Sequence, residues 1–161
     1  MVQISICHSQ GVTRVRQATV YIDQEALQYN LNRVKQLAPT AKIVSMVKAN
    51  AYGHGVEACL AALSSSDAFG VACLEEALEI RELGYEQPIT LIEGIFSDDE
   101  MQIIIEKKIE CVVHHQQQLD WLLAHKDAYI AQGLKVWVKL NSGMNRLGFK
   151  VPEIIDVINS L

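Results

Sequence analysis

The chain has 161 residues, half of them apolar and a fifth charged, which is the balance of a globular chain and the length of one domain. A net charge of -5 with no basic run argues against nucleic acid or an anionic membrane surface as partner. No stretch approaches the ~18 consecutive apolar residues that a membrane span needs.

The first segment, residues 1–17, is polar, carries Arg14 and Arg16 and lacks the apolar core of a signal peptide. We expect residues 1–15 to be a disordered lead-in and the folded unit to run from 16 to 161. Ala18–Ile22 reads as a strand. Asp23 then has the form of an N-cap, and Leu27, Leu31 and Val34 recur at helical spacing until Pro39. Ile43–Val47 is the next strand, followed by a glycine-containing loop and a helix over Val56–Leu63. Ala68–Cys73 is a strand, and Glu75–Leu83 a helix that Gly84 stops. After a strand at Ile89–Ile92, Ser97-Asp98-Asp99-Glu100 has the form of a capping box, and Met101, Ile104 and Ile105 form the inward face of its helix. Cys111–Val113 is a strand. Leu119, Leu122 and Leu123 mark one further helix that Gly133 closes. Leu134–Leu140 is a strand, and Pro152 suits the first position of a helix continued by Ile154, Ile155 and Ile158.

Strands alternating with helices after Pro39 imply an α/β fold with a parallel sheet. Five units do not complete a (β/α)8 barrel of ~250 residues, and a five-stranded doubly wound sheet is equally open on count alone.

Two constellations carry chemistry. The first is Val-Lys-Ala-Asn-Ala-Tyr-Gly-His-Gly, from Val47 to Gly55, where a strand ends and a helix is about to begin. Parallel α/β proteins keep their reactive groups at such ends. A lysine on an apolar strand is costly to leave charged, and a neutral amine attacks a carbonyl. A solvated surface lysine would read the same way, so spacing alone makes Lys48 a candidate and no more. The second is Lys-Leu-Asn-Ser-Gly-Met-Asn-Arg-Leu-Gly-Phe, from Lys139 to Phe149. Lys135, Trp137 and Lys139 share one strand face. Lys139 near Arg146 sets two cations together, relieved either by exposure of one side chain or by N-carboxylation of Lys139.

His114 and His115 follow a strand end without a carboxylate or cysteine at ligand spacing, so no metal site is expected. Among the cysteines Cys7, Cys59, Cys73 and Cys111 there is no C-x-x-C pair. They read as reduced thiols of a cytoplasmic protein.

The first string resembles the pyridoxal-phosphate attachment motif of alanine racemases, and nothing in it departs from that pattern. The second resembles the family's K-x-D-[ST]-G-M-x-R-L-G element. Asn141 replaces the usual aspartate, and Asn145 stands where histidine or glycine is common. Asp67-Ala68-Phe69-Gly70-Val71-Ala72, Glu75-Glu76-Ala77 and Leu83-Gly84 fit between them, and Arg16–Asp23 resembles the family's opening strand. The resemblance thus covers the chain from about Arg16 onward.

The resemblance implies a TIM-type (β/α) barrel, here about five of eight βα units, with the family's C-terminal β domain absent. It implies interconversion of L- and D-alanine in the cytoplasm by a homodimer, supplying D-alanine for peptidoglycan. The cofactor is pyridoxal 5'-phosphate, held as an aldimine on Lys48, which also serves as the base that deprotonates D-alanine. Tyr52 falls at the cofactor phosphate, Arg146 at cofactor and substrate carboxylate, Met144 at the substrate, and Lys139 at a position carboxylated in many members. The opposite base is a tyrosine beyond Leu161 in the family's C-terminal domain, so the chain alone is expected to be weakly active or inactive. Decarboxylases of the same fold type and a vestigial cofactor-binding domain are the alternatives.

Overall fold

The computed structural model describes residues 2–5 and 19–161. Two strands open it, β1 (Val2–Ser5) and β2 (Thr19–Ile22), paired antiparallel with Val2 opposite Ile22 and Ser5 opposite Thr19. Strand β1 falls within residues 1–15, the segment that the sequence reads as a lead-in. The rest of that segment, with Cys7, lies outside the described residues, as does Ala18. Helix α1 (Gln24–Leu37) follows, its N-cap Asp23 accepting the Ala26 amide at 3.1 Å.

Then come β3 (Val44–Met46), a short turn α2 (Lys48–Tyr52), α3 (Val56–Ala62), β4 (Ala68–Val71), α4 (Leu74–Glu82), β5 (Ile89–Leu91), α5 (Asp99–Glu106), β6 (Ile109–Val113), α6 (Gln116–Ala124), α7 (Lys126–Ala131), β7 (Val136–Val138) and α8 (Ile154–Ser160). The five strands β3 to β7 form one parallel sheet in sequential order, β3-β4-β5-β6-β7. That order decides between the two architectures left open by count. A doubly wound sheet reverses direction at a switch point. Five sequential strands joined by right-handed crossovers keep all their helices on one face, which is the winding of a barrel segment.

The two faces divide by the strand period of two. Phe69, Val71, Ile89, Leu91, Ile109, Cys111 and Val113 are buried against Leu60, Ala77, Ile80, Met101, Ile104, Leu119 and Leu122 in one continuous core. Met46, Gly70, Thr90 and Glu110 lie side by side on the opposite face, in register. Glu110 is buried there. Its Oε2 accepts the Trp137 indole N–H at 2.8 Å, and its Oε1 lies 3.8 Å from the Lys135 amine. Lys135, Trp137 and Lys139 therefore share the face away from the helices.

Three local expectations are corrected. Asp98, not Ser97, takes the cap position of α5 without a side-chain cap bond, and the Glu100 carboxylate reaches past it to the Phe96 amide at 3.2 Å, so the box does not form. The single helix expected before Gly133 is two, broken at His125. The break turns Tyr129 into the core, where its hydroxyl accepts the Cys111 amide at 3.0 Å and donates to the Lys135 carbonyl at 2.9 Å. Pro152 precedes α8 by two residues, and Val157 is its buried residue while Ile155 and Ile158 are exposed.

Candidate active site

The C-terminal ends of β3, β4, β5 and β7 meet around Lys48. Beyond Met46 the chain does not continue as a strand. Ala49, Asn50, Ala51 and Tyr52 all adopt left-handed helical angles, with φ between 51° and 55°. This conformation presses each Cβ against the following carbonyl and costs roughly 1–2 kcal/mol per residue. Four such residues in a row, none of them glycine, constitute stored strain next to the candidate nucleophile.

Several contacts hold the turn. The Ala51 amide donates to the Val47 carbonyl at 2.8 Å, and the Gly53 amide, at φ 81°, donates to the Ala49 carbonyl at 2.9 Å. The Asn50 side-chain oxygen accepts the Val56 amide at 2.7 Å and thereby caps α3. The His54 Nδ1 contacts the Ala51 carbonyl at 2.8 Å, so the donor tautomer carries its proton on Nδ1. His54 thus belongs to the turn's own hydrogen bonding. From outside the turn, Glu76 Oε1 accepts the Ala49 amide at 2.6 Å.

Lys48 projects to the face away from the helices. Its Nζ lies 3.7 Å from Glu93 Oε1, the two side chains 32% and 40% exposed. Glu93 belongs to the loop after β5, and that loop is heavily fastened. The buried amide of Gln118 donates to the carbonyls of Glu93 at 2.9 Å and Ile95 at 3.0 Å, while its oxygen accepts the His114 amide at 3.1 Å. His114 Nε2 sits 2.8 Å from the same Glu93 carbonyl, and burial pushes this imidazole below the usual histidine range. Gly94, at φ 72°, has no room for a Cβ, which would meet the Val112 carbonyl and the Gln118 amide.

Lys139 closes the group from β7. Its Nζ donates to the Ile92 carbonyl at 2.7 Å. Burial holds its ammonium below the ordinary lysine range, Glu93 opposes that lowering, and Arg146 and Lys48 add to it. Lys139 and Arg146 line the same hollow of about 200 Å³ with Met144, but no hydrogen bond joins them among the described residues. Arg146 and Met144 are exposed. Tyr52, also exposed, opens instead onto a separate hollow of about 420 Å³ with Tyr21, Asn30, Met46 and His54.

The loop carrying Arg146 shows how its two departures from the family pattern fit together. Asn141 Oδ1 accepts the amides of Gly143 at 3.0 Å and Asn145 at 3.1 Å, as an aspartate would. Its Nδ2 donates to Asn145 Oδ1 at 3.0 Å, a bond an aspartate cannot make. Asn145 sits at φ 58°, a conformation asparagine tolerates. The loop is steadied without an aspartate's charge.

The sequence singled out Lys48, Tyr52, Lys139, Met144 and Arg146. The structure brings Lys48 and Lys139 to one face, puts Met144 and Arg146 at its rim and turns Tyr52 to a neighbouring hollow. It adds Glu93 and Gln118, which single-residue patterns could not reveal, and Glu76, whose only signal was the Glu-Glu-Ala string. Cys59 and Cys111 are buried free thiols and Cys73 a half-buried one, and burial raises Cys111 to about 11. No group of three or more His, Cys, Asp or Glu among the described residues could hold a metal ion. No helix among them is long and apolar enough to cross a membrane.

Comparison with known proteins agrees with this architecture. The family model "alanine racemase, N-terminal domain" matches residues 22–161. An alanine racemase of a Psychrobacter species is 48% identical over 148 residues, covering 91% of this chain and 40% of that protein. The solved alanine racemase of Acinetobacter baumannii superposes with a TM-score of 0.86 at 79% identity, over 88% of this chain and 40% of that one. The biosynthetic alanine racemase of Pseudomonas aeruginosa does so at 0.75 and 36%, over 87% and 38%. The chain thus spans about 40% of the length of the relatives it matches. It belongs to the alanine racemase N-terminal domain family.

Proposed function

We propose that this chain is the lysine-bearing barrel segment of an alanine racemase, with pyridoxal 5'-phosphate attached at Lys48. The observation that carries the reading is the placement of a primary amine at the end of β3, 3.7 Å from Glu93 and on the face that also holds Lys139. The residues fit the cofactor in charge and in chemistry. Arg146 and Lys48 both act on Lys139, and Glu93 is the carboxylate that opposes them among the described residues, an excess of positive charge that suits an anionic ligand. A lysine amine is the group that condenses with an aldehyde.

When bound, the cofactor supplies an aldehyde for that amine and a conjugated ring that draws electrons from the substrate's α-carbon. The chain's own residues do the rest. As a free amine, Lys48 would take the α-proton of D-alanine on Nζ. Glu93 offers the resulting ammonium a counter-charge. Arg146 offers a planar fork for a carboxylate. Lys139 keeps the β5 exit in place through the Ile92 carbonyl, and its N-carboxylated form would supply an anion toward Arg146. Support for alanine as substrate comes from the 79% identical neighbour and from the two motifs. The same resemblance supports a cytoplasmic homodimer.

Exchange of the α-hydrogen tests the reading without requiring full turnover. Purified chain with pyridoxal phosphate in deuterated water is expected to wash deuterium into D-alanine faster than the cofactor alone, and Lys48→Ala is expected to abolish the gain. Exchange equal to the cofactor control would overturn it, as would preferential carbon dioxide release from a diamino acid.

A further inference from the structure

One carboxylate joins the two strand ends behind Lys48. Glu76, in the first turn of α4, uses Oε1 to accept the Ala49 amide at 2.6 Å and Oε2 to accept the Ala72 amide at 2.8 Å. Ala49 is the first residue of the left-handed turn and the immediate neighbour of Lys48. Ala72 follows the last residue of β4, the strand beside β3. The bracket therefore ties the exit of one strand to the exit of the next, and the candidate nucleophile is the residue preceding the tied amide.

The turn's internal bonds cannot account for its hand. A right-handed turn would make bonds of the same type, such as Ala51 to Val47 and Gly53 to Ala49. What a right-handed turn would lose is the aim of its outward-facing groups. Asn50 contributes one anchor, to Val56 within the same segment. Glu76 is the side chain from another element that anchors the turn among the described residues, and an ionised carboxylate makes the stronger kind of hydrogen bond.

We propose that Glu76 is the positioning residue of Lys48: by holding the Ala49 and Ala72 amides on one carboxylate it keeps the left-handed turn, and with it the direction of the Lys48 amine. It touches neither substrate nor cofactor. The proposal rests on the reading of Lys48 as the cofactor lysine, and the test separates the two.

Wild-type chain, Glu76→Gln and Glu76→Ala are mixed with pyridoxal phosphate, reduced with borohydride at timed intervals and mapped for modified Lys48. Amide exchange is followed in parallel at Ala49 and at Ile104, a remote core residue. Glu76→Ala is expected to slow capture at Lys48 by about tenfold or more, since it loses two charge-assisted bonds. Glu76→Gln, which can accept one amide but turns an NH2 toward the other, is expected to fall between. The circular dichroism of the bound chromophore should change in both variants, and exchange should speed up at Ala49 while Ile104 keeps its protection. Capture at the wild-type rate with unchanged chromophore dichroism overturns the proposal, and so does equal acceleration of exchange at Ile104, which marks general destabilisation. If Glu76→Ala fails to fold, the Gln variant alone carries the comparison. If wild-type chain captures no cofactor at Lys48, the functional reading fails, and selective exchange at Ala49 still decides whether Glu76 holds the turn.

Discussion

The Lys48 amine and the Glu93 carboxylate meet at 3.7 Å across the intervening strand β4, one following β3 and the other β5. A pair so exposed contributes about 0–1 kcal/mol to stability. Its significance is electrostatic and local. Glu93 is an anion beside both Lys48 and Lys139, and its charge opposes the lowering that burial imposes on Lys139.

That opposition gives a pH prediction for Glu93→Gln. Lys139 is held below the ordinary lysine value in the folded chain, so at pH between the folded value and about 10.4 the unfolded chain binds more protons. Stability from this group therefore rises with pH across that window. Removing the Glu93 charge lowers Lys139 further and extends the window toward lower pH. Urea unfolding at a series of alkaline pH values should show the variant's rise beginning earlier than the wild type's; superimposable profiles would contradict it.

The loop that presents Glu93 depends on one buried amide. Gln118→Ala orphans the Ile95 carbonyl and the His114 amide and removes one of two donors from the Glu93 carbonyl. The expected loss is about 2–4 kcal/mol of unfolding free energy. Chemical denaturation measures it, and a change under about 0.5 kcal/mol, the range of an ordinary surface substitution, would refute the role assigned to Gln118.

Much of the candidate site is legible in the sequence, and the division follows a physical line. Lys48, Lys139 and Arg146 sit in strings whose composition is itself the signal, and the strand period set Lys135, Trp137 and Lys139 on one face. The sheet order was not legible, because neighbour pairing is non-local and the same alternation serves a doubly wound sheet. Glu76 read as an ordinary acidic residue favoured at a helix N-terminus. Only the adjacency of β3 and β4 brings the Ala49 amide to it. Glu93 has no local signature at all. The break at His125 was hidden because apolar residues on both sides keep helical spacing, and the cause lies in the Tyr129 hydroxyl finding partners on β6 and before β7. The pairing of β1 with β2 depended likewise on a partner distant in sequence.

Lys139 offers a covalent prediction. An amine held below its ordinary range is neutral in a larger fraction at a given pH, and the neutral nitrogen can attack carbon dioxide. The ammonium gives up one proton, the neutral nitrogen then forms an N–C bond as a C=O π bond opens onto oxygen, a second proton leaves nitrogen, and a cation has become an anion on the rim that carries Arg146. Chain equilibrated with ¹³C-labelled bicarbonate should show a carbamate carbon resonance that Lys139→Ala removes. A resonance unaffected by that substitution would assign the modification elsewhere.

The central claim is that Lys48 is the residue to which the cofactor attaches. Borohydride reduction of the chain mixed with pyridoxal phosphate, followed by peptide mapping, tests it most directly. The account predicts a phosphopyridoxyl group on Lys48 and loss of the reducible absorbance in Lys48→Ala. Modification confined to Lys139 or spread over surface lysines, with Lys48 unmodified, would contradict it.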